Sequence, residues 1–419
     1  MNTVRLDREV WQTTAPNGVV VCSERVPAVR SAALGIWVRA ASAHEVRRQM
    51  GVSHLLEHMV FKGTARRSAQ EIALALEARG GSLDAYTSRD STAFQARVLD
   101  ADLPRAVDVL TDLVRRPALR DADLQLERNV ILEEIATVED TPDDLVFDLS
   151  AEALWPEHPY GFSILGTRET VGALSTGDLG ALHRRAYHPA NIVIAGAGNF
   201  THEELLRLVE REGWFEPAAE SDGPVPMAPV TAAVRGGVRR VTRDSAQSHL
   251  VFATDTVPFA DPRKYAIMVL ANILGGGMSS RLFQKVREEL GLAYAVYAFS
   301  SFFRGVGTTG VYVGTQPQTA TAAADAIRGE LAALARDGLR GDALREAKQQ
   351  TQGQVMLSLE SPTAKMYRLA GGHVYGEPYR SLDDVLTQID GLTEEAVAAV
   401  AAEYFTPERF TLVWLGPTA

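Results

Sequence analysis

Gly51-Val52-Ser53-His54-Leu55-Leu56-Glu57-His58-Met59-Val60 is the stretch on which the reading of this chain turns. On a helix, residues i and i+4 share a face, so His54 and His58 direct their imidazoles at one point. Glu57, three residues after His54, stands beside that face without being needed as a ligand. Two imidazoles and a carboxylate suit Zn²⁺, whose catalytic sites keep one position open to water. The ion lowers the water's pKa, and a nearby carboxylate can take its proton. Leu55, Leu56, Met59 and Val60 surround these groups. Three ionisable side chains on a mostly apolar helix need a reason, because burying them uncompensated is costly.

A third ligand is then required. Residues 124–138, LQLERNVILEEIATV, read as a helix. Glu134 has Val130 and Ile131 one turn before it and Val138 one turn after, so it sits in the apolar stripe. Glu133 has the more polar neighbours Asn129 and Thr137. Periodicity therefore selects Glu134 as the inward carboxylate, with Glu127 two turns away on the same face. The order His-x-x-Glu-His inverts the commoner His-Glu-x-x-His and is the inverzincin signature.

The rest of the chain narrows the alternatives. Its 419 residues exceed what one hydrophobic core holds, so at least two domains are expected. It is 46% hydrophobic and 23% charged, as folded globular chains are, and its net charge of −11 argues against a nucleic-acid partner. The single cysteine, Cys22, lies in the apolar run Val19-Val20-Val21-Cys22; it forms no intramolecular disulfide and reads as a buried strand residue. No apolar run approaches a membrane span, and residues 1–18 lack a signal-peptide core, so a soluble, cytoplasmic protein is expected. Few lysines and many arginines suggest a GC-rich, bacterial genome. No Gly-x-Ser-x-Gly elbow supports serine hydrolysis. The other histidines have no ligand-like spacing.

A Pro- and Ala-rich stretch at 216–237 divides the chain into an N-terminal zinc-binding domain, 1–215, and a C-terminal domain, 238–419. Both halves run strand, polar loop, apolar helix, then strands, and read as a duplication. The fold class is α+β: two homologous sandwich domains, each a mixed or antiparallel sheet with helices on one face. Ser68-Ala69-Gln70-Glu71 is a capping box opening a helix that Gly80-Gly81 ends. Asp102 and Asp121 are expected to start two more helices. Gly275-Gly276-Gly277 lacks the dinucleotide-binding spacing and reads as a turn before a helix at 279–290.

The motifs resemble those of the pitrilysin family of zinc metallopeptidases. HLLEHMVFKGT at 54–64, DAYTSRDST at 84–92, ERNVILEE at 127–134 and YGFSILG at 160–166 carry the likeness, which extends over nearly the whole chain. It is nearest to short members such as mitochondrial processing peptidase subunits and their bacterial relatives. The resemblance implies that His54, His58 and Glu134 ligate one zinc per chain. It makes Glu57 the general base and Glu127 a carboxylate that orients a ligand. Asp84, Ala85, Tyr86 and Thr87 would form an edge strand that takes peptide substrate as an added strand. Asp84 stands where relatives commonly have Asn, and an ionised carboxylate cannot donate the amide hydrogen bond.

The second half has no His-x-x-Glu-His. By the same resemblance, Arg287 and Tyr294 in REELGLAY at 287–294 would contact the scissile peptide and stabilise its oxyanion. The family's architecture implies two such chains closing into a clamshell chamber, as a homodimer or as a heterodimer with a homologous subunit, with Arg287 and Tyr294 acting on the partner's zinc. The expected activity is a zinc endopeptidase for peptides or unfolded segments. The alternative is a non-catalytic structural or substrate-binding subunit, against which the four intact motif residues weigh.

Overall fold

The structure, a computed structural model, describes residues 1–217 and 225–417. Residues 218–224, near the start of the expected linker, lie outside the described residues. The first seven strands are β1 (Asn2–Asp7), β2 (Val10–Thr14), β3 (Val20–Arg25), β4 (Ser31–Val38), β5 (Ser82–Thr87), β6 (Thr92–Leu99) and β7 (Ile192–Gly198). The next five are β8 (Val238–Thr242), β9 (Ser248–Thr256), β10 (Ala293–Phe302), β11 (Gly307–Thr315) and β12 (Thr411–Gly416). The helices of the first half are α1 (Val52–Val60), α2 (Ala69–Glu77), α3 (Leu103–Arg115), α4 (Asp121–Asp140), α5 (Pro142–Leu154), α6 (Arg168–Ala173), α7 (Thr176–Ala186) and α8 (His202–Arg211). Those of the second are α9 (Lys264–Gly275), α10 (Ala320–Asp337), α11 (Gly341–Ser358), α12 (Pro362–Tyr375), α13 (Leu382–Asp390) and α14 (Glu394–Tyr404).

Two compact units emerge: Met1–Ile135 with Ser163–Ala228 and Ser358–Tyr379, and Ala136–Phe162 with Pro229–Leu357 and Arg380–Ala419. The first holds a seven-stranded sheet ordered β1-β2-β3-β7-β4-β6-β5, the second a five-stranded sheet ordered β10-β11-β9-β12-β8. The sequence of pairings β3-β7-β4-β6-β5 repeats as β8-β12-β9-β11-β10. The one parallel pair also falls at the same step, β3 with β7 and β12 with β8. Duplication is thus written in the topology.

The units differ from the plain division at 216–237 in two segments. In the first unit, Leu34, Ile36, Ile194, Leu55, Leu110 and Ile131 build the core on one sheet face. The alternate residues Ala33, Trp37, Val193 and Ala195 build a second core on the other face with Met366, Leu369, Ala370 and Val374 of α12. Every residue of β7 is buried, so this sheet needs cover on both faces, and a helix from far along the chain supplies the second. In the second unit, α5 places Phe147 against the Phe299 and Tyr312 rings in the same manner, at 5.4 and 5.6 Å between centroids. The one-faced arrangement expected from the sequence therefore gains one further helix per unit.

Local chemistry agrees with several expected boundaries. The Ser68 hydroxyl accepts from Glu71 N–H while the Glu71 carboxylate accepts from Ser68 N–H, closing the capping box. Cys22 is 1% exposed within β3, and burial pushes its thiol up to about 12, so it is inert. Residues 283–289, expected as an ordinary helix, form a π-helix. Among the described residues no helix is long and apolar enough to cross a membrane.

Candidate metal centre and catalytic site

The helix α1 is anchored at its start by features that periodicity does not reveal. Gly51 caps it at φ +90°, and a Cβ there would lie 2.6 Å from the Leu165 carbonyl oxygen. Gly166 returns the contact: at φ +81°, its Cβ would lie 2.5 Å from the Met50 carbonyl oxygen. Glu45, only 6% exposed, accepts from Gly51 N–H at 2.9 Å and Ser53 N–H at 2.8 Å, satisfying donors that a helix start leaves open. Burial pushes the Glu45 carboxyl up to about 7 against the lowering effect of those bonds and of the Arg89 charge.

From this fixed start, α1 buries Leu55, Leu56, Met59 and Val60 and leaves His54 and His58 half-buried on one side. Their rings stand 4.6 Å apart, tilted by 64°. Glu134 of α4 faces both. His54 Nε2 is 3.7 Å from Glu134 Oε2, and His58 Nε2 is 3.6 Å from Glu134 Oε1. These distances are too long for hydrogen bonds. They are close to the separation of about 3.4 Å between donors sharing one tetrahedral zinc at ~2.0–2.1 Å. The three side chains form the one cluster of this kind among the described residues, with ligand atoms within 4.8 Å of one another.

The protonation states suit a cation. Burial, and then the neighbouring His58, depress His54 to about 4, so it is neutral near pH 7. His54 Nδ1 is buried without a hydrogen-bond partner. His58 Nδ1 lies 3.1 Å from Glu127 Oε2. An ionised carboxylate only accepts, so Nδ1 carries the proton and Nε2 presents its lone pair toward Glu134. The second Glu127 oxygen lies 2.5 Å from Lys62 Nζ. The donor set fits zinc: two imidazoles, one carboxylate and a hydrogen-bonded support behind one of the rings.

Glu57, 8% exposed, accepts from the Thr87 hydroxyl at 2.6 Å through Oε2. Burial raises its pKa; the Thr87 bond and His58 lower it, and the Glu134 and Asp84 charges raise it further. A carboxyl raised by burial is a stronger base than one free in water.

Asp84, Ala85, Tyr86 and Thr87 lie on β5, the edge strand of the first sheet, with one side unpaired. Asp84 accepts its own neighbour's Ala85 N–H at 2.9 Å, and Tyr86 accepts from Trp37 Nε1 at 3.1 Å. Arg287 and Tyr294 belong to the second unit. There the Arg287 guanidinium sits between the Phe283 and Tyr294 rings, 4.7 and 4.4 Å from their centroids, and donates to the Tyr294 carbonyl at 3.2 Å. Tyr294 is 78% exposed on β10, the topological counterpart of β5.

Sequence reasoning missed Glu45, Lys62 and the Thr87–Glu57 bond. Lys62 stands four residues after His58, a helical spacing that could have flagged it. Glu45 carries no spacing signal, because its partners are backbone groups across a turn.

Comparison with known proteins bears on this centre. Residues 20–168 match the model of insulinase (peptidase family M16), and residues 173–351 match the model of the peptidase M16 inactive domain. The second match covers the part of the chain without a His-x-x-Glu-His. A protein of Streptomyces coelicolor named as an uncharacterized zinc protease is 38% identical over 412 residues, 97% of this chain and 90% of that protein. One from Bacillus subtilis, named likewise, is 36% identical over 97% of this chain and 98% of its own. A protease from Helicobacter pylori shares the fold at TM-score 0.91 and 21% identity, covering 97% of this chain and 99% of that one. A peptidase M16 inactive domain structure from Pseudomonas fluorescens does so at 0.90 and 21%, covering 98% of both chains. Motifs, centre and relatives agree: the chain belongs to the M16 (insulinase) family of peptidases.

Proposed function

We propose that this protein is a zinc-dependent endopeptidase that hydrolyses peptides or unfolded segments. His54, His58 and Glu134 hold one zinc ion per chain, and Glu57 is the general base. The observation that carries this reading is the convergence of three ligand atoms within 4.8 Å beside a buried, pinned carboxylate. When bound, zinc supplies a Lewis acid that polarises a carbonyl and makes a water molecule acidic.

The chain's own groups do the rest. Glu57 takes a proton from the attacking water and passes it to the departing amine. Glu127 keeps His58 in the tautomer that frees Nε2. The open side of β5 takes the substrate as an added strand through main-chain hydrogen bonds. Asp84 there is occupied with Ala85 N–H, so anchoring rests on the backbone more than on that side chain. Arg287 and Tyr294 donate to the developing oxyanion. Two chains enclose the substrate, as a homodimer or with this chain as the active subunit of a heterodimer. In that arrangement Arg287 and Tyr294 serve the partner's zinc. A purely structural subunit is disfavoured by the intact His54, Glu57, His58 and Glu134.

The deciding experiment pairs zinc content with peptide cleavage in wild type and Glu57→Gln. Stoichiometric zinc in both, with chelator-sensitive cleavage in wild type alone, is expected. Wild type lacking both metal and cleavage defeats the reading.

A further inference from the structure

Thr87 closes β5, and its hydroxyl lies 2.6 Å from Glu57 Oε2. The Thr92 hydroxyl lies 3.3 Å from that of Thr87, and the two residues are paired directly across the β5–β6 hairpin. Thr92 is 1% exposed and Glu57 8%. An ionised carboxylate only accepts, so Thr87 donates to Glu57. The single Thr87 proton is then spent, and Thr92 must be the donor to Thr87. The order Thr92 to Thr87 to Glu57 is therefore dictated by proton count. Each bond in such a row polarises the next. Among the described residues, Glu57 Oε1 has no hydrogen-bond partner from the protein.

We propose that Thr87, backed by Thr92, is a positioning residue for Glu57: it pins Oε2 so that Oε1 alone is presented to the reacting water. A glutamate carboxylate turns freely about its last bond and offers two equivalent oxygens. Holding one of them removes that search and fixes the base before substrate arrives. The same threonine ends the strand on which substrate is proposed to lie, so base and substrate track share one rigid hairpin. This inference rests on the peptidase reading above.

The test uses the full chain with zinc. Thr87→Val keeps the β-branched shape and removes the donor. It is expected to lower kcat about 10- to 100-fold, as the loss of one hydrogen bond to a charged group would. KM stays within about twofold, and zinc content and melting temperature stay at wild-type values. Thr87→Ser restores most of the activity. Thr92→Val costs less, and added to Thr87→Val it costs nothing further, because Thr92 acts through Thr87. A crystal structure of Thr87→Val should show the Glu57 carboxylate turned from its place. Wild-type kcat in Thr87→Val, a Thr87→Ser protein as impaired as Thr87→Val, or an unmoved Glu57 in that structure overturns the proposal. Failure of the peptidase reading shows separately, as an inactive wild type, and the structural readout still decides the role of Thr87.

Discussion

His58 and Glu127 are joined at 3.1 Å, Nδ1 to Oε2, and Lys62 Nζ holds the other oxygen of the same carboxylate at 2.5 Å. Glu127 thus holds the His58 ring by its Nδ1 while Lys62 keeps the carboxylate's charge from being buried alone. Glu127→Ala is expected to weaken zinc binding about 10- to 100-fold. Glu127→Gln should lie between, since an amide oxygen still accepts from Nδ1. Lys62→Met should have a smaller effect. Competition with a chromogenic chelator measures all three, and an unchanged zinc affinity in Glu127→Ala would sink the argument.

The buried Glu45 carboxyl makes stability depend on pH in a defined direction. Its pKa is raised by burial from 4.5 to about 7. Below 4.5 it is neutral in both folded and unfolded chains. As pH rises from there through 7, the folded chain comes to hold a buried charge that the unfolded chain holds in water. Its stabilising contribution is therefore complete at low pH and lost across this window, by roughly 3 kcal/mol. Glu45→Gln removes the ionisation. Thermal melts of both proteins from pH 4.5 to 8 should show wild type losing ground to Glu45→Gln as pH rises. Parallel curves would contradict this.

Gly51 and Gly166 bring the start of α1 against the 163–167 loop at distances no side chain tolerates. Gly51→Ala meets both a positive φ and the Leu165 oxygen at 2.6 Å. Gly80→Ala has φ +78° and nothing within 4 Å, so it isolates the conformational cost alone, about 1 kcal/mol. Gly51→Ala should destabilise clearly more than Gly80→Ala and also reduce zinc retention, because the ligand helix must shift. Equal melting temperatures for the two variants would show that the close approach is unimportant.

What was legible in the sequence is what repeats locally. The i, i+4 spacing put His54 and His58 on one side of α1, and the Ser68–Glu71 box marked where α2 begins. The choice of Glu134 over Glu133 matches the observed placement. Val130, one turn before Glu134, is 43% exposed and so lies outside the buried stripe. The order of strands in the two halves was readable because the duplication keeps it. Contacts made across long separations were not readable. Nothing in the composition of α12 says that it covers the first sheet, or in α5 that it covers the second. The Thr87–Glu57 bond joins a strand end to a helix 30 residues earlier, and no period links them. The π-helix at Phe283–Glu289 has the residue pattern of an ordinary helix.

Residues 101–150 hold 13 acidic and 5 basic side chains, −8 of the chain's −11. This segment carries Glu127 and Glu134. If enough of its field reaches the substrate, basic peptides should be cleaved with a higher kcat/KM than neutral ones at low salt, and the difference should shrink as ionic strength rises. A set of isosteric peptides of graded charge, assayed at two salt concentrations, measures it. Equal cleavage at low salt would remove the idea.

The separation of chemistry between the two halves gives the sharpest test of assembly. Glu57 lies in the first compact unit and Arg287 in the second. If a chamber forms from two chains and Arg287 serves the partner's zinc, a Glu57→Gln chain and an Arg287→Ala chain are each inactive as homodimers. A hybrid of the two contains one complete site: Glu57 from the Arg287→Ala chain and Arg287 from the Glu57→Gln chain. Mixing them should restore up to about half of the wild-type activity per hybrid dimer, since one of its two sites is whole. Differently tagged chains, purified in tandem, establish that hybrids form. An active Arg287→Ala homodimer would show that Arg287 takes no part in the reaction; with both parents inactive, verified hybrids that remain inactive would show that Arg287 acts within its own chain.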